Sequence, residues 1–387
     1  MEAVNRPSNP QFELRIGVDI GGTFTDFVIF DPRSGQISSF KLPTTPEDPS
    51  TVVLEGLNRI HNHWNIKLQK GGDKKPASLS IIHGSTVATN ALLERKGANT
   101  ALITTRGFKD ILQIGRQNRS KLYDLTAYPP EALIPEQLRF EVDERVNYQG
   151  EVLIPLNLSQ VNQLIDKLNK PIGVQIGKGI TRYDSEEAEQ NKLKVESIAI
   201  CTLFSFLHPD HERKIAQRLR KAGFFVSASY EVIPEYREYE RMSTTAINAY
   251  VSPVLDRYLK SLEEAVYSEE SDGLQKYQRI RFHVMQSNGG SISVAEARKM
   301  GVRCILSGPA GGVEGAKFAG ERALKGLSSA KSPLRLLTFD MGGTSTDVSL
   351  IHGESQVTTE AQIGGFPIRL PILDIHTIGA GGGSIAT

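Results

Sequence analysis

The chain has 387 residues, 39% hydrophobic and 23% charged, with a formal net charge of +1 at pH 7, a composition expected of a globular protein with two or three domains. So small a net charge gives no global field for nucleic acid or an anionic membrane surface, and no apolar run approaches the roughly 18 residues of a spanning helix. Cys201 and Cys304 are the only cysteines; they argue against a disulfide framework and lack metal-type spacing, and with a start (MEAVNRPSNPQFE) that has no signal-like apolar core they point to a cytoplasmic protein.

In chain order, residues 1–14 read as a disordered tail. LRIGVDI (Leu14–Ile20) has the β-branched run of a buried strand, and FVIF (Phe27–Phe30) has the same character. Gly21 and Gly22 between them supply the positive φ of a tight hairpin. The segment is no P-loop, because GxxxxGK[ST] is missing and a strand follows; nor does it carry the dinucleotide fingerprint GxGxxG. A tip without side chains lets its N–H groups approach phosphate oxygens. Thr23 and Thr25 add hydroxyl donors, and Asp19 at the strand end is placed to hold Mg²⁺ through waters.

Leu79–Ile82 is the next strand, followed by HGSTVATNALLERKGA. Ser85, Thr86, Thr89 and Asn90 cluster at the start of a helix running to about Lys96. They either cap that helix or, with His83 and Gly84, form an anion or carbonyl site. Gly97 closes the helix and Thr100–Thr104 returns as a strand. Arg106, Lys109, Arg116 and Arg119 read as a solvated face, with a carboxylate-binding role for Arg116 as the alternative. A polar stretch near Asp184–Lys194 precedes the strand VESIAICTLF, a helix over His211–Gly223 and the strand FFVSAS. EYREYER reads as a charged, aromatic linker or interface segment. A helix then begins at Ser243–Thr245, with Pro253 expected to kink or end it. Phe282–Met285 is a strand ending in the polar turn Gln286–Gly290. LSGPAGGVEGA is a glycine-rich loop opening a helix, with Gly311 and Gly312 facing a nucleotide cleft.

LRLLTFDMGGTSTD then repeats the first hairpin. Asp340 is the strand-end acid, Gly342, Gly343 and Thr344 the tip, and Thr346 and Asp347 the return. Six of the eight positions in DxGGTxTD match between the two copies. Paired hairpins make sense if two duplicated halves grip one nucleotide from both sides, so that closing the cleft is coupled to chemistry. TIGAGGGSIA, with Gly381 and Gly382, is a last glycine-rich loop.

The paired DxGGT hairpins resemble the signature of the superfamily of actin, sugar kinases and heat-shock chaperone ATPases. RIGVDIGGTFTDFVIFD, HGSTVATNALLERKGA, YREYERMSTTAINAYVSP, MQSNGGSIS, LSGPAGGVEGA, FDMGGTSTDVSLI and DIHTIGAGGGSIA together resemble the A subunit of hydantoinase/5-oxoprolinase proteins, from about Arg15 to the last residue. VDIGGTFTD is closer to hydantoinase A than to the IDRGGTFTD of eukaryotic 5-oxoprolinases. The resemblance implies an α/β, actin-like (ribonuclease H-like) fold of duplicated ATPase domains, the second incomplete: an N-terminal domain over residues 15–235 and a partial one over 236–387, with apolar sheet surface left exposed. It implies ATP-dependent hydrolysis of a cyclic amide, of hydantoin or 5-oxoproline type, by phosphorylation of the amide carbonyl. ATP and Mg²⁺ are the implied cofactors. Asp19 and Asp340 are the implied catalytic and metal-holding acids, and Gly21, Gly22, Thr23, Thr25, Gly342, Gly343, Thr344 and Thr346 wrap phosphates. The late glycine loop is implied to support the adenosine side. A hydantoinase B-type subunit would complete a hetero-oligomer, with no nucleic acid or membrane partner. The family also contains ATP-dependent carboxylases of acetone and acetophenone, so a ketone carboxylase subunit is the alternative, and an inactive ATP-binding fragment is the third reading. The chain by itself is expected to bind ATP weakly and to need a partner.

Overall fold

The computed structural model describes residues 13–21, 23–45, 49–71, 78–118, 123, 131–174, 192–267, 279–325, 333–341, 346–378 and 380–383. Residues 1–12 of the expected tail and most of the Asp184–Lys194 stretch lie outside them. The tail expectation ran two residues too far, since Glu13 and Leu14 already belong to a strand and Leu14 is fully buried.

Strands β1 (Glu13–Ile20), β2 (Phe24–Asp31) and β3 (Gln36–Pro43) form an antiparallel meander. Alternation puts Leu14, Ile16, Val18 and Ile20 on one face, opposite Phe27 and Ile29 of β2. Helix α1 (Pro49–Gly71) contacts β2 and β3, so closely that a Cβ on Gly56 would lie 2.1 Å from Cζ of Phe27. Strand β4 (Ser78–Ser85) pairs in parallel with β1 and turns into helix α2 (Val87–Leu93). Gly97 does not close that helix: Arg95 takes the left-handed position (φ 57°), and Gly97 is needed because a Cβ there would strike the Tyr250 ring at 2.2 Å.

A second, parallel sheet is built from β5 (Thr100–Thr105), then α3 (Ile111–Ile114), β6 (Arg139–Val142), α4 (Leu158–Leu168), β7 (Ser197–Cys201), α5 (Asp210–Lys221) and β8 (Phe225–Ala228). Its order is β8-β7-β5-β6. Every residue of β5 and β7 is buried, as in sheets covered on both faces.

Helix α6 (Glu238–Tyr267) is a single beam of 30 residues that continues through Pro253. It therefore starts within EYREYER, earlier than the expected Ser243. Arg241, read as part of a charged linker or interface segment, is almost fully buried. It donates to Ser205 Oγ, to Ser229 Oγ at 2.8 Å and to the Thr202 carbonyl at 2.9 Å. Glu212 lies on the same Ser229 hydroxyl, at 2.8 Å. Burying a cation is tolerable only with such partners.

The chain next returns to the first sheet. Strand β9 (Arg279–Met285) pairs in parallel with β4, and β10 (Ser291–Ser293) pairs antiparallel with β9, giving the order β10-β9-β4-β1-β2-β3. A sheet thus takes strands from both sides of the expected division near residue 235, and α6, which starts just after it, packs on β5, β7 and β8 before it. Helix α7 (Ser307–Lys325) leads to a third sheet of β11 (Arg335–Met341), β12 (Thr346–His352), a two-residue strand Glu354–Ser355 and β15 (Ile375–Ile378), with the small hairpin β13 (Ala361–Ile363) and β14 (Phe366–Ile368) between them in sequence. Ala310, Val313, Leu334, Ile351 and Leu373 make a small core of their own between α7 and this sheet. The other face carries exposed Leu337, Phe339, Met341 and Leu350, the open apolar surface expected of this unit. Among the described residues no helix is long and apolar enough to cross a membrane.

Candidate functional site

At the first hairpin the register sets Asp19 directly across from Asp26. Gly21 does not have positive φ, contrary to expectation; glycine is needed because a Cβ there would sit 3.0 Å from the Phe24 carbonyl. Thr44 Oγ1 donates to the Gly21 carbonyl at 2.9 Å, so its oxygen is left to accept from Thr25, 3.0 Å away. The buried Thr25 hydroxyl therefore braces the tip instead of pointing a donor outward. Thr23 is exposed and its carbonyl accepts from Thr44 N–H at 2.9 Å. Gly22 lies outside the described residues.

The Asp19 carboxylate lies over two glycines. A Cβ on Gly84 of β4 would come within 3.1 Å of Asp19 Oδ1, and one on Gly308 in the first turn of α7 within 3.7 Å. Both positions thus leave a cradle that any side chain would fill. The start of α7 is held there by the HGST corner. Ser307 Oγ donates to the Ser85 carbonyl at 2.9 Å, and Leu306 N–H donates to Thr89 Oγ1 at 2.8 Å. Leu306 itself is left-handed, with φ of 60°, a costly conformation for a branched side chain and one that clusters at functional sites. Thr86 makes no capping bond to α2. Ser85 Oγ instead accepts from Val87 N–H at 3.2 Å, so the HGST segment meets the start of α2 and also brackets the start of α7.

Behind Asp19 lies a buried relay that sequence reading missed. His83 Nδ1–H donates to the Val18 carbonyl (3.2 Å), and Tyr258 of α6 donates to Nε2 (2.8 Å). Burial drives the His83 pKa down to about 4, so the imidazole is neutral and this tautomer is fixed. Burial first, and the Asp19 charge as well, push the Tyr258 hydroxyl up. Tyr258 sits far along a helix that gives no sequence signal of its own.

The second hairpin repeats the register, with Asp340 across from Asp347. Asp340 reaches the same helix: a Cβ on Gly312 would lie 3.9 Å from its Oδ2. Gly311 and Gly312 lie inside the first turns of α7, not in a loop before it, and Gly311 backs onto Met285 Sδ. Asp19 is solvent-accessible, yet its pKa is raised, first by desolvation against the protein and then by the charges of Asp26 and Asp340. The two hairpin acids are thus close enough to feel each other, with the N-terminus of α7 as their common neighbour. Thr346 is buried and donates its hydroxyl to the Ala380 carbonyl at 2.6 Å, tying the late glycine loop to β12. Gly381 is buried and Gly382 exposed. Gly342, Gly343 and Thr344 lie outside the described residues. Arg116 makes a bidentate pair with Glu240, both bonds 2.7 Å, and so is not a free carboxylate receptor. Among the described residues no three His, Cys, Asp or Glu side chains are grouped as a metal cage.

Two hairpins carrying strand-end acids, joined by glycine-lined helix termini in a mixed α/β frame, define an actin-like ATPase fold. The structure matches that of the ATP-dependent caprolactamase from Pseudomonas jessenii with a TM-score of 0.71 and 30% identity, over 96% of this chain and 49% of the other. It matches nucleotide-free acetone carboxylase with a TM-score of 0.72 and 26% identity, over 95% of this chain and 48% of the other. Residues 15–175 match the hydantoinase/oxoprolinase N-terminal region and residues 241–387 the hydantoinase/oxoprolinase domain, and the chain belongs to that family. The 5-oxoprolinase 1 of Arabidopsis thaliana is 37% identical over 384 residues, which is 96% of this chain and 28% of that protein. The chain therefore spans half or less of the length of these relatives.

Proposed function

We propose that this chain forms the nucleotide-handling part of an enzyme that hydrolyses a cyclic amide at the expense of ATP. The observation that carries the reading is the convergence of Asp19 and Asp340, from two copies of one hairpin, on the glycine-lined start of α7. Asp19, whose proton affinity burial and neighbouring carboxylates raise, faces Asp340 across room kept open by Gly84 and Gly308, a setting that suits a hydrated divalent cation. Mg²⁺ would be held by Asp19 and Asp340 through waters, and when bound it would neutralise charge on the phosphates. The first-turn N–H groups of α7 favour anionic oxygens, and Asp19 and Asp340 approach this helix from the two hairpins.

An amide carbonyl is a poor electrophile. Moving the γ-phosphoryl group onto its oxygen breaks the bond to ADP and forms a new P–O bond; water then adds to the carbon, the ring C–N bond breaks as the nitrogen leaves protonated, and a second water attacks the carbon of the resulting acyl phosphate to give carboxylate and inorganic phosphate. The protein's contribution is positioning and charge stabilisation. The relatives named as 5-oxoprolinase and caprolactamase support a cyclic-amide substrate, and a B-type partner subunit in the cytoplasm completes the reading. The acetone carboxylase match supports a second one, in which the same phosphoryl transfer activates a ketone with bicarbonate. The test uses 5-oxoproline, hydantoin and caprolactam labelled with ¹⁸O at the amide carbonyl, given to the chain in its native complex with Mg·ATP. Label appearing in inorganic phosphate supports amide phosphorylation. Phosphate free of label with all three, together with ADP formation that depends on acetone and bicarbonate, overturns it in favour of the second reading.

A further inference from the structure

In the proposed cation site only the middle residue of HGS (His83–Ser85), which closes β4, has a part: Gly84 leaves room for Asp19. Its two neighbours hold the surroundings of that acid. The Ser85 carbonyl accepts from Ser307 Oγ in the first turn of α7. His83 stands beside Val18 in the parallel register, and its Nδ1 lies 3.2 Å from the Val18 carbonyl oxygen. That carbonyl and the Asp19 N–H belong to one planar peptide unit. A hold on the oxygen therefore sets the tilt of the plane from which the Asp19 side chain departs, and alternation along β1 sends that side chain to the face opposite Val18.

The imidazole is itself held. It is 1% exposed, with the Phe282 and Tyr258 rings 6.3 and 5.7 Å away, centroid to centroid. The Tyr258 hydroxyl lies 2.8 Å from Nε2. A carbonyl oxygen cannot donate, so the ring proton sits on Nδ1 and Nε2 accepts from Tyr258. Without the hydroxyl, Nε2 would be a buried acceptor with no donor, and the ring would gain by turning away from this place and loosening its hold on Val18. Burial keeps the phenol protonated, and so a donor. Its helix is a firm support, since α6 packs on α1, α2 and the strands β5, β7 and β8.

We infer that Tyr258 and His83 are positioning residues for the proposed cation site: Tyr258 fixes His83, His83 fixes the peptide unit between Val18 and Asp19, and the Asp19 carboxylate is thereby aimed into the room left by Gly84 and Gly308. The inference rests on the reading of Asp19 as a cation-holding acid and adds the two side chains that set its geometry. Neither touches the nucleotide or the ion. Partners of this outer kind are typically worth about 10–100-fold in metal affinity when the ligand binds directly; a carboxylate acting through waters should lie at or below the lower end.

The probe is ADP, titrated calorimetrically into the chain in its native complex, once with Mg²⁺ and once with EDTA. The readout is the factor by which Mg²⁺ tightens ADP, which a general loosening of the fold does not change by itself. Asp19→Asn should lower this factor about 10-fold or more. Tyr258→Phe should lower it at least threefold while leaving the Kd in EDTA within twofold of wild type. Added to Asp19→Asn, Tyr258→Phe should change the factor no further, because it acts through that carboxylate. His83→Asn keeps an N–H donor near the place of Nδ1 and should retain more of the factor than His83→Leu; this pair also decides the matter where Tyr258→Phe does not fold. A factor lost in Asp19→Asn but kept in Tyr258→Phe and in both His83 variants overturns the positioning role alone. Equal weakening with Mg²⁺ and with EDTA makes the pair merely structural and overturns it too. A factor that Asp19→Asn leaves at the wild-type value removes the cation reading, and the positioning role with it.

Discussion

Ile16, Val18 and Ile20 of the first hairpin and Leu337, Phe339 and Met341 of the second occupy matching positions. The first three are 2%, 2% and 6% exposed, the second three 65%, 63% and 54%. Backbone register and the acid-against-acid pair are the same in both. What differs is the company each strand keeps. β1 is flanked by β2 and β4 and covered by the main core. Among the described residues β11 has β12 on one side and α7 across one face. A short motif thus dictates the hairpin and the place of its carboxylate, whereas burial is dictated by how many layers the rest of the chain brings to it. The first half is a rigid anvil for the site and the second a thinner plate facing it.

The sharpest way to break this comparison is to remove the shared feature. Asp19→Asn and Asp340→Asn should each lower Mg²⁺-dependent nucleotide turnover in the native complex by roughly 10²–10⁴. Because they serve one site, the double variant should fall far short of the product. Turnover like wild type in either single variant removes the idea of a shared cation.

A smaller effect separates the halves. Ile16→Ala should cost about 2–5 kcal/mol of stability, as for a buried aliphatic side chain, whereas Leu337→Ala should stay within about 0.5 kcal/mol. Urea denaturation of the two variants decides it. A large loss at Leu337 would mean that the exposed face is covered in solution.

The smallest effect concerns pH. Asp19 has a raised pKa in the folded chain, so its contribution to stability is full below the ordinary carboxylate pKa and is lost as pH rises through the folded value. At pH 7 the ionised group therefore opposes folding of the nucleotide-free chain. Asp19→Asn should leave Tm at pH 7 equal to or slightly above wild type, with the difference vanishing toward pH 3. A lower Tm at pH 7 would make Asp19 a structural residue.

Both hairpins, their acids and the family were legible in the sequence, because period-two alternation and a Gly-Gly-Thr tip are local signals. Residues whose role depends on distant partners were not. Arg241 sits in a run of charges that reads as solvated, and only the fold brings Ser205, Ser229 and Thr202 to it. Tyr258 and His83 are 175 residues apart in sequence. Gly97 reads as a helix stop, yet its function is to let the Tyr250 ring approach. Pro253 reads as a helix breaker, but α6 packs on the parallel sheet and on α1 and α2 and is not stopped by one missing N–H.

The placement of β9 has a consequence for how the protein is made. β4 leaves the ribosome with β1 on one edge, and its other edge waits for Arg279–Met285. Those partners are about 200 residues apart, which at about 5–20 residues per second means roughly 10–40 s of synthesis. Throughout that interval a hydrophobic parallel edge stands open to other nascent chains. The stretch 15–175, although a recognisable sequence unit, leaves that edge of β4 unpaired, and a shortened version that stops before Ser293 should aggregate more than the full chain unless a chaperone holds the edge.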